Sequence, residues 1–390
     1  EEEDCLRAPL PPLQPRREPL ELSARARAGL LAIVAGLTGT AFLHGAARHS
    51  GTTLRASSSS LAVTDGLITK TEEVTAEHHP KYAKVKGDIE TLWQRPVGDV
   101  KGIFFAAHGC CHQGPDYFSE VEPGGWKFNA CAKTNLGQCL GLPEEVYFRR
   151  RALARGYVVV AVSGGDGLGS CWSPGESGRV RDAIEYVREA EKLPEDTPIF
   201  ATGSSSGGYL LTPMAEPVSK GGVPNLKCIV PMVSTADAPS RKVPTLHVYM
   251  TQDPMVSSAA HERYKAIKDA GIRSGEIGAK PMKVTADFLG KCLVKDLGAK
   301  VVEALKDGGI VDDQLYLKQD ARMRTWVDPV KAVIGDHSDD TLVADKSCLS
   351  ELMNVAWSFH EFTGEFTDKI VDFCEGKWDG TLDVDASHKK

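Results

Sequence analysis

Ser205 stands at the centre of Gly203-Ser204-Ser205-Ser206-Gly207, directly after the apolar run Pro198-Ile199-Phe200-Ala201-Thr202. A strand that turns sharply into a helix needs glycines there, because neighbouring backbone passes too close to tolerate a Cβ. The central serine is left strained and exposed at the tip of such an elbow. It can attack a carbonyl carbon if a base takes its proton, an acid group holds that base, and N–H donors face the developing oxyanion. The pattern therefore predicts acyl transfer with Ser205 as nucleophile.

On a strand-to-helix elbow the partners follow in the chain order serine, carboxylate, histidine. Thr245–Met250 reads as the strand that should carry the acid, and Asp253 lies three residues beyond it. Its competing reading is a turn residue before Pro254. Four histidines follow: His261, His337, His360 and His388. His261 falls in a surface helix too close to the acid, and His388 is in the tail. His360 lies inside an expected final helix over Ser350–Phe362, where a structural role is more common. His337, in the polar Gly335-Asp336-His337-Ser338-Asp339-Asp340 before that helix, is therefore the expected base, with His360 as the alternative.

The oxyanion donors are expected to be the backbone N–H of Ser206 and that of Cys110, in the His108-Gly109-Cys110-Cys111-His112 loop after the strand Gly102–Ala107. A metal cluster of His108, Cys110, Cys111 and His112 is the rival reading, but residues this close rarely all converge on one tetrahedral ion. No metal or cofactor is expected. Gly164-Gly165-Asp166-Gly167-Leu168-Gly169 resembles a phosphate loop, yet Ser170 stands where the third glycine of the dinucleotide fingerprint belongs. It reads instead as a loop at the carboxyl edge of a sheet near the substrate mouth, with Trp172 as pocket wall or core.

These residues need a scaffold, and apolar runs alternating with helical patterns point to a mainly parallel sheet covered on both faces. The strands expected are Asp88–Trp93, Gly102–Ala107, Tyr157–Ser163, Pro198–Thr202, Cys228–Val233 and Thr245–Met250, with Met282–Ala286 as the last. Helices are expected over Arg179–Leu193, Ser257–Ala270 and Ser350–Phe362, the second closed by Gly271. Pro213 limits the helix launched by Ser206 to a short or kinked one.

The 390 residues, 42% hydrophobic and 25% charged, are enough for one large core with appendages. A net charge of −7 supplies no basic field for a phosphate backbone, which argues against a nucleic-acid partner. Residues 28–47 carry no Asp, Glu, Lys or Arg and follow Arg16, Arg17, Arg25 and Arg27. That length and polarity fit a signal anchor or signal peptide over residues 25–48, with organelle targeting as a further option. A disordered tail (1–24) and a linker (49–75) flank it. The folded domain is expected over 76–378, with excursions near 113–145 and 288–335 and a tail over 379–390. Ten cysteines fit a translocated protein. Cys131 and Cys139, in a polar stretch, are expected to pair, and Cys228 reads as an ordinary buried thiol.

The chain resembles the α/β-hydrolase superfamily, and within it a group of plant and algal members that are membrane-anchored or secreted. The likeness rests on Ala107-His108-Gly109-Cys110, Gly141-Leu142-Pro143-Glu144-Glu145, Val162-Ser163 with Cys171-Trp172-Ser173, Gly203–Gly208, Pro244-Thr245-Leu246 with Asp253, and His360-Glu361-Phe362-Thr363, spanning 102–363. The resemblance implies an eight-stranded-type sheet, a triad of Ser205, Asp253 and His337, and no metal. The expected activity is cleavage of an ester or related acyl compound by a serine hydrolase. The alternatives are a peptidase of the same fold and a non-catalytic scaffold used for binding.

Overall fold

The computed structural model describes residues 79–118, 141–164, 171–293, 295–335 and 347–380, all of them within one compact unit, 61–390. Residues 28–47, the Cys131 and Cys139 pair and His337 lie outside the described residues. Among the described residues no helix is long and apolar enough to cross a membrane.

Eight strands form one sheet: β1 (Lys81–Val85), β2 (Ile89–Gln94), β3 (Gly102–Ala107), β4 (Tyr157–Val162), β5 (Ile199–Ser204), β6 (Leu226–Met232), β7 (Thr245–Met250) and β8 (Ser274–Ala279). Their spatial order is β1-β2-β4-β3-β5-β6-β7-β8. β2 runs antiparallel to β1 and β4, and the other pairs are parallel. β3, β4 and β5 are buried along their whole length, as expected of central strands covered on both sides.

The period-2 alternation of side chains divides the core into two layers. Ile103 and Phe105 of β3 pack on one face with Val180, Ile184 and Val187 of α2 (Ser177–Ala190) and Leu210 and Leu211 of α3 (Ser206–Met214). Phe104 and Ala106 point the other way, towards Phe148 and Ala152 of α1 (Pro143–Ala154) and Ile370, Val371 and Phe373 of α9 (Thr367–Cys374). Phe104 meets Phe148, Tyr157 and Phe200 edge-on.

After β7 comes α4 (Ser257–Asp269), closed by Gly271 at φ +71°. Beyond β8 the chain builds a helical layer with its own apolar core: α5 (Ala286–Leu289), α6 (Lys295–Asp307), α7 (Val327–Ile334) and α8 (Cys348–Trp357). Trp326 and Leu352 are buried in that core, and a Cys292–Cys348 disulfide ties its first segment to its last helix.

Three expectations are corrected. The strand placed at Met282–Ala286 is instead β8 at Ser274–Ala279, and Ala286 opens α5. In β8 two glycines alternate with Ser274, Glu276, Ile277 and Ala279, so only one large aliphatic side chain marks the strand. The helix expected to run to Phe362 stops at Trp357, and α9 follows it. Cys228 is no free thiol: it is bonded to Cys374 of α9, joining the sheet to the helix that covers it.

Candidate active site

Ser205 occupies the turn between β5 and α3 at φ +49°, ψ −113°, a conformation that a non-glycine residue adopts only under strain. Packing enforces it. A Cβ on Gly203 would lie 2.3 Å from the Gly207 carbonyl oxygen, and one on Gly207 would lie 2.5 Å from that of His108. The first turn of α3 therefore rests directly on the end of β3. The Ser205 N–H is tied across to the Met232 carbonyl at the end of β6, 3.0 Å away. α3 is short, with Pro213 in its last turn.

The imidazole beside Ser205 is that of His360, whose Nε2 is 3.2 Å from Ser205 Oγ. Its Nδ1 is 2.7 Å from Oδ2 of the fully buried Asp253. The other oxygen of Asp253 accepts the Met255 N–H at 2.9 Å, which fixes the carboxylate after β7. The histidine weighed as the alternative base, His360, thus stands between Ser205 and Asp253, and the expected base, His337, lies outside the described residues. His261 lies on α4 and pairs with Glu276, 2.8 Å away.

His360 reaches the site because α8 ends early. Ser358 takes the left-handed conformation at φ +63°, and His360 itself has φ +34°. The fully buried Ser358 is held from three directions. Its hydroxyl accepts the Thr251 N–H at 3.0 Å and donates to the Ala279 carbonyl at 2.6 Å, while its own carbonyl accepts the Gln252 N–H at 3.1 Å. The ends of β7 and β8 thereby grip the turn that releases the histidine. Serine is not the usual residue at a helix C-terminus of this kind, where glycine or asparagine leads, so the stop has no sequence cue.

The loop after β3 is pinned on both sides. His108 is buried, and burial pushes its pKa down to about 4, against smaller opposing contributions from Gly109 and Asp116. The neutral ring donates from Nδ1 to the Gly109 carbonyl at 2.6 Å and accepts the Gly164 N–H on Nε2 at 2.8 Å. Cys110 is bonded to Cys171, and Cys111 is also in a disulfide, so neither offers a thiolate to a metal. Among the described residues no group of three His, Cys, Asp or Glu side chains is placed to hold a metal ion. Trp172 is core, packed on Phe105 and His108, and its backbone N–H donates to Ser206 Oγ at 3.2 Å. The Ser206 N–H is the first of α3 and has no acceptor within the helix, which leaves it for a ligand.

Two of the segments that carry the sequence likeness, Gly141–Glu145 and His360–Thr363, meet. Glu144, fully buried at the start of α1, accepts from the Thr363 hydroxyl at 3.0 Å and the Gly364 N–H at 2.8 Å, and pairs with Lys291. Glu145 of α1 and Glu351 of α8 are both buried carboxyls, and burial raises the pKa of each. Burial alone would lower His112, but its bond to Asp116 and the charges of Asp116, Glu145 and Glu361 raise it to about 9.

An eight-stranded sheet in this order, with a strained serine after β5, a buried aspartate after β7 and a histidine after the last strand, has the α/β-hydrolase fold. Neither a protein-family model nor a curated protein sequence matches the chain. Among solved structures it is similar to an esterase from Pyrobaculum calidifontis (14% identity, TM-score 0.36, covering 52% of this chain and 76% of that one). It is also similar to an acylaminoacyl peptidase from Pyrococcus horikoshii (14% identity, TM-score 0.36, 55% of this chain and 39% of that one). An esterase from Pseudomonas putida overlaps similarly (14% identity, TM-score 0.36, 51% and 72%). At such identity and overlap, the chemistry of the site is read from its own geometry.

Proposed function

We propose that the protein is a serine hydrolase that cleaves an ester or related acyl compound through an acyl-enzyme intermediate. The observation that carries this reading is the His360 ring, placed with Nε2 towards Ser205 Oγ and Nδ1 towards buried Asp253. Asp253 accepts a hydrogen bond from Nδ1–H, which keeps the proton on Nδ1 and leaves Nε2 unprotonated, ready to take the Ser205 proton. As Oγ bonds to the acyl carbon, that proton moves to Nε2, and the carbonyl oxygen gains charge facing the N–H groups of Ser206 and Cys110. Collapse of the tetrahedral adduct expels the alcohol or amine, which takes the proton from Nε2. Water, deprotonated by the same nitrogen, then releases the acid and restores Ser205.

His337 is not needed in this scheme. The Cys110–Cys171, Cys228–Cys374 and Cys292–Cys348 disulfides support passage through an oxidising compartment, and residues 28–47 are assigned as the anchor or signal that directs it there. Incubation with a fluorophosphonate probe, followed by peptide mass spectrometry, tests the activity. The expected adduct is on Ser205 and is absent from Ser205→Ala; folded protein with no adduct would favour a binding scaffold. Competing p-nitrophenyl esters and peptide anilides would then rank ester against amide.

A further inference from the structure

We propose that Arg322 is the positioning residue of the His360 imidazole, acting through the backbone on either side of it; this rests on the reading of His360 as the base for Ser205. Arg322 lies in the 3₁₀ turn Ala321–Met323 of the helical layer, outside the strands that hold Ser205 and Asp253. Its Nη1 donates to the Phe359 carbonyl at 2.9 Å and its Nη2 to the His360 carbonyl at 3.2 Å. The guanidinium also stacks over the Phe359 ring, 4.7 Å from its centre, and Nη2 lies 3.6 Å from Glu361 Oε2. One planar fork therefore holds two successive carbonyls, a ring and a carboxylate across Phe359, His360 and Glu361.

That grip falls where the chain most needs one. Ser358 and His360 both have positive φ, so this segment stays in place only if its surroundings over-determine it. Ser358 is clasped from the sheet side, and the peptides after it are held by Arg322 from the helical layer. Arg322 is itself seated firmly. Asp320 Oδ1 accepts the backbone N–H of Arg322 at 2.9 Å, and the buried Trp326 donates from Nε1 to the Ala321 carbonyl at 2.9 Å. A lysine would keep the charge but cannot present two parallel donors and a flat face. The helical layer thus supplies the second half of the clamp on the base.

The test compares full-length wild type, Arg322→Met, Arg322→Lys, His360→Ala and Ser205→Ala by the second-order rate of phosphonylation of Ser205 across pH. Each variant is first checked for cooperative unfolding. Arg322→Met is expected to slow labelling roughly 10- to 100-fold, the scale at which a misplacement of about 1 Å acts. Arg322→Lys should be intermediate, and added guanidinium ion, well below denaturing levels, should restore part of the rate in Arg322→Met but none in His360→Ala. A merely structural arginine would lower the unfolding midpoint and leave the labelling rate of the folded protein, and its pH profile, at wild-type values. That result overturns the positioning role. If Arg322→Met does not fold, Arg322→Lys decides on the same rates. Wild-type protein that is not labelled, or His360→Ala labelled as fast as wild type, overturns the underlying reading of the base and the role of Arg322 with it.

Discussion

Ser205 and Asp253 are set by the ends of β5 and β7, whereas His360 follows α8 of the helical layer and is gripped between that layer and the sheet. The two regions place their residues by different physics. In the sheet, strand register and close backbone approach at Gly203 and Gly207 leave the serine one position. In the helical layer, a separate apolar core and a disulfide hold a turn whose left-handed residues would otherwise relax. Damage to the sheet side should therefore act on the nucleophile outright, and damage to the helical layer should act on the base by loosening it.

The largest effect is expected on the sheet side. Ser205→Ala should lower kcat by at least about 10⁴-fold in a p-nitrophenyl ester assay, while Ser206→Ala keeps most of the activity, since alanine preserves the backbone donor. Equal losses in the two would place the elbow in the wrong register. Asp253→Asn follows: the amide donates where the carboxylate accepts and favours the wrong imidazole tautomer, so a fall of roughly 10³- to 10⁴-fold is expected with the unfolding midpoint little changed.

On the helical side the effects are smaller. Replacing Cys292 and Cys348 by serine opens a loop with a sequence separation of 56, which should cost about 2–4 kcal/mol in denaturant unfolding. Activity should fade at denaturant concentrations where the sheet remains folded. Coincident loss of both would mean that the two regions unfold as one.

The smallest effect concerns Glu351. Burial holds its pKa and that of Glu145 above the usual 4.5, Glu145 at about 7. A carboxyl with a raised pKa in the folded state contributes stability that is fully present below about 4.5 and is lost as pH rises through the folded value. Glu351→Gln removes that loss, so its stability relative to wild type, followed by denaturant unfolding, should increase steadily from about pH 5 to about pH 8. Parallel profiles would show that burial does not raise the Glu351 pKa in the folded state.

This contrast also decides how much could be read from the residues alone. β3 and β7 are bounded as expected, and the glycines at 203 and 207 announce the elbow, because each feature is fixed by a few adjacent residues. Asp253 follows from its spacing after β7. β1, in contrast, is a short edge strand with two lysines and no apolar run to mark it. Leu352, Val355, Ala356 and Phe359 keep a helical period through the point where α8 ends, so His360 reads as helical. What ends the helix is Ser358 meeting Thr251, Gln252 and Ala279, residues distant in the chain. The pairing of Cys228 with Cys374 depends on α9 crossing the sheet, which no local pattern encodes.

The central claim is that His360, presented by the helical layer, is the base for Ser205. The most direct measurement is the rate of Ser205 phosphonylation in His360→Ala and His337→Ala, each shown to be folded. The account predicts that His360→Ala loses labelling by several orders of magnitude while His337→Ala stays within a few-fold of wild type. Loss in His337→Ala with His360→Ala still active would contradict it.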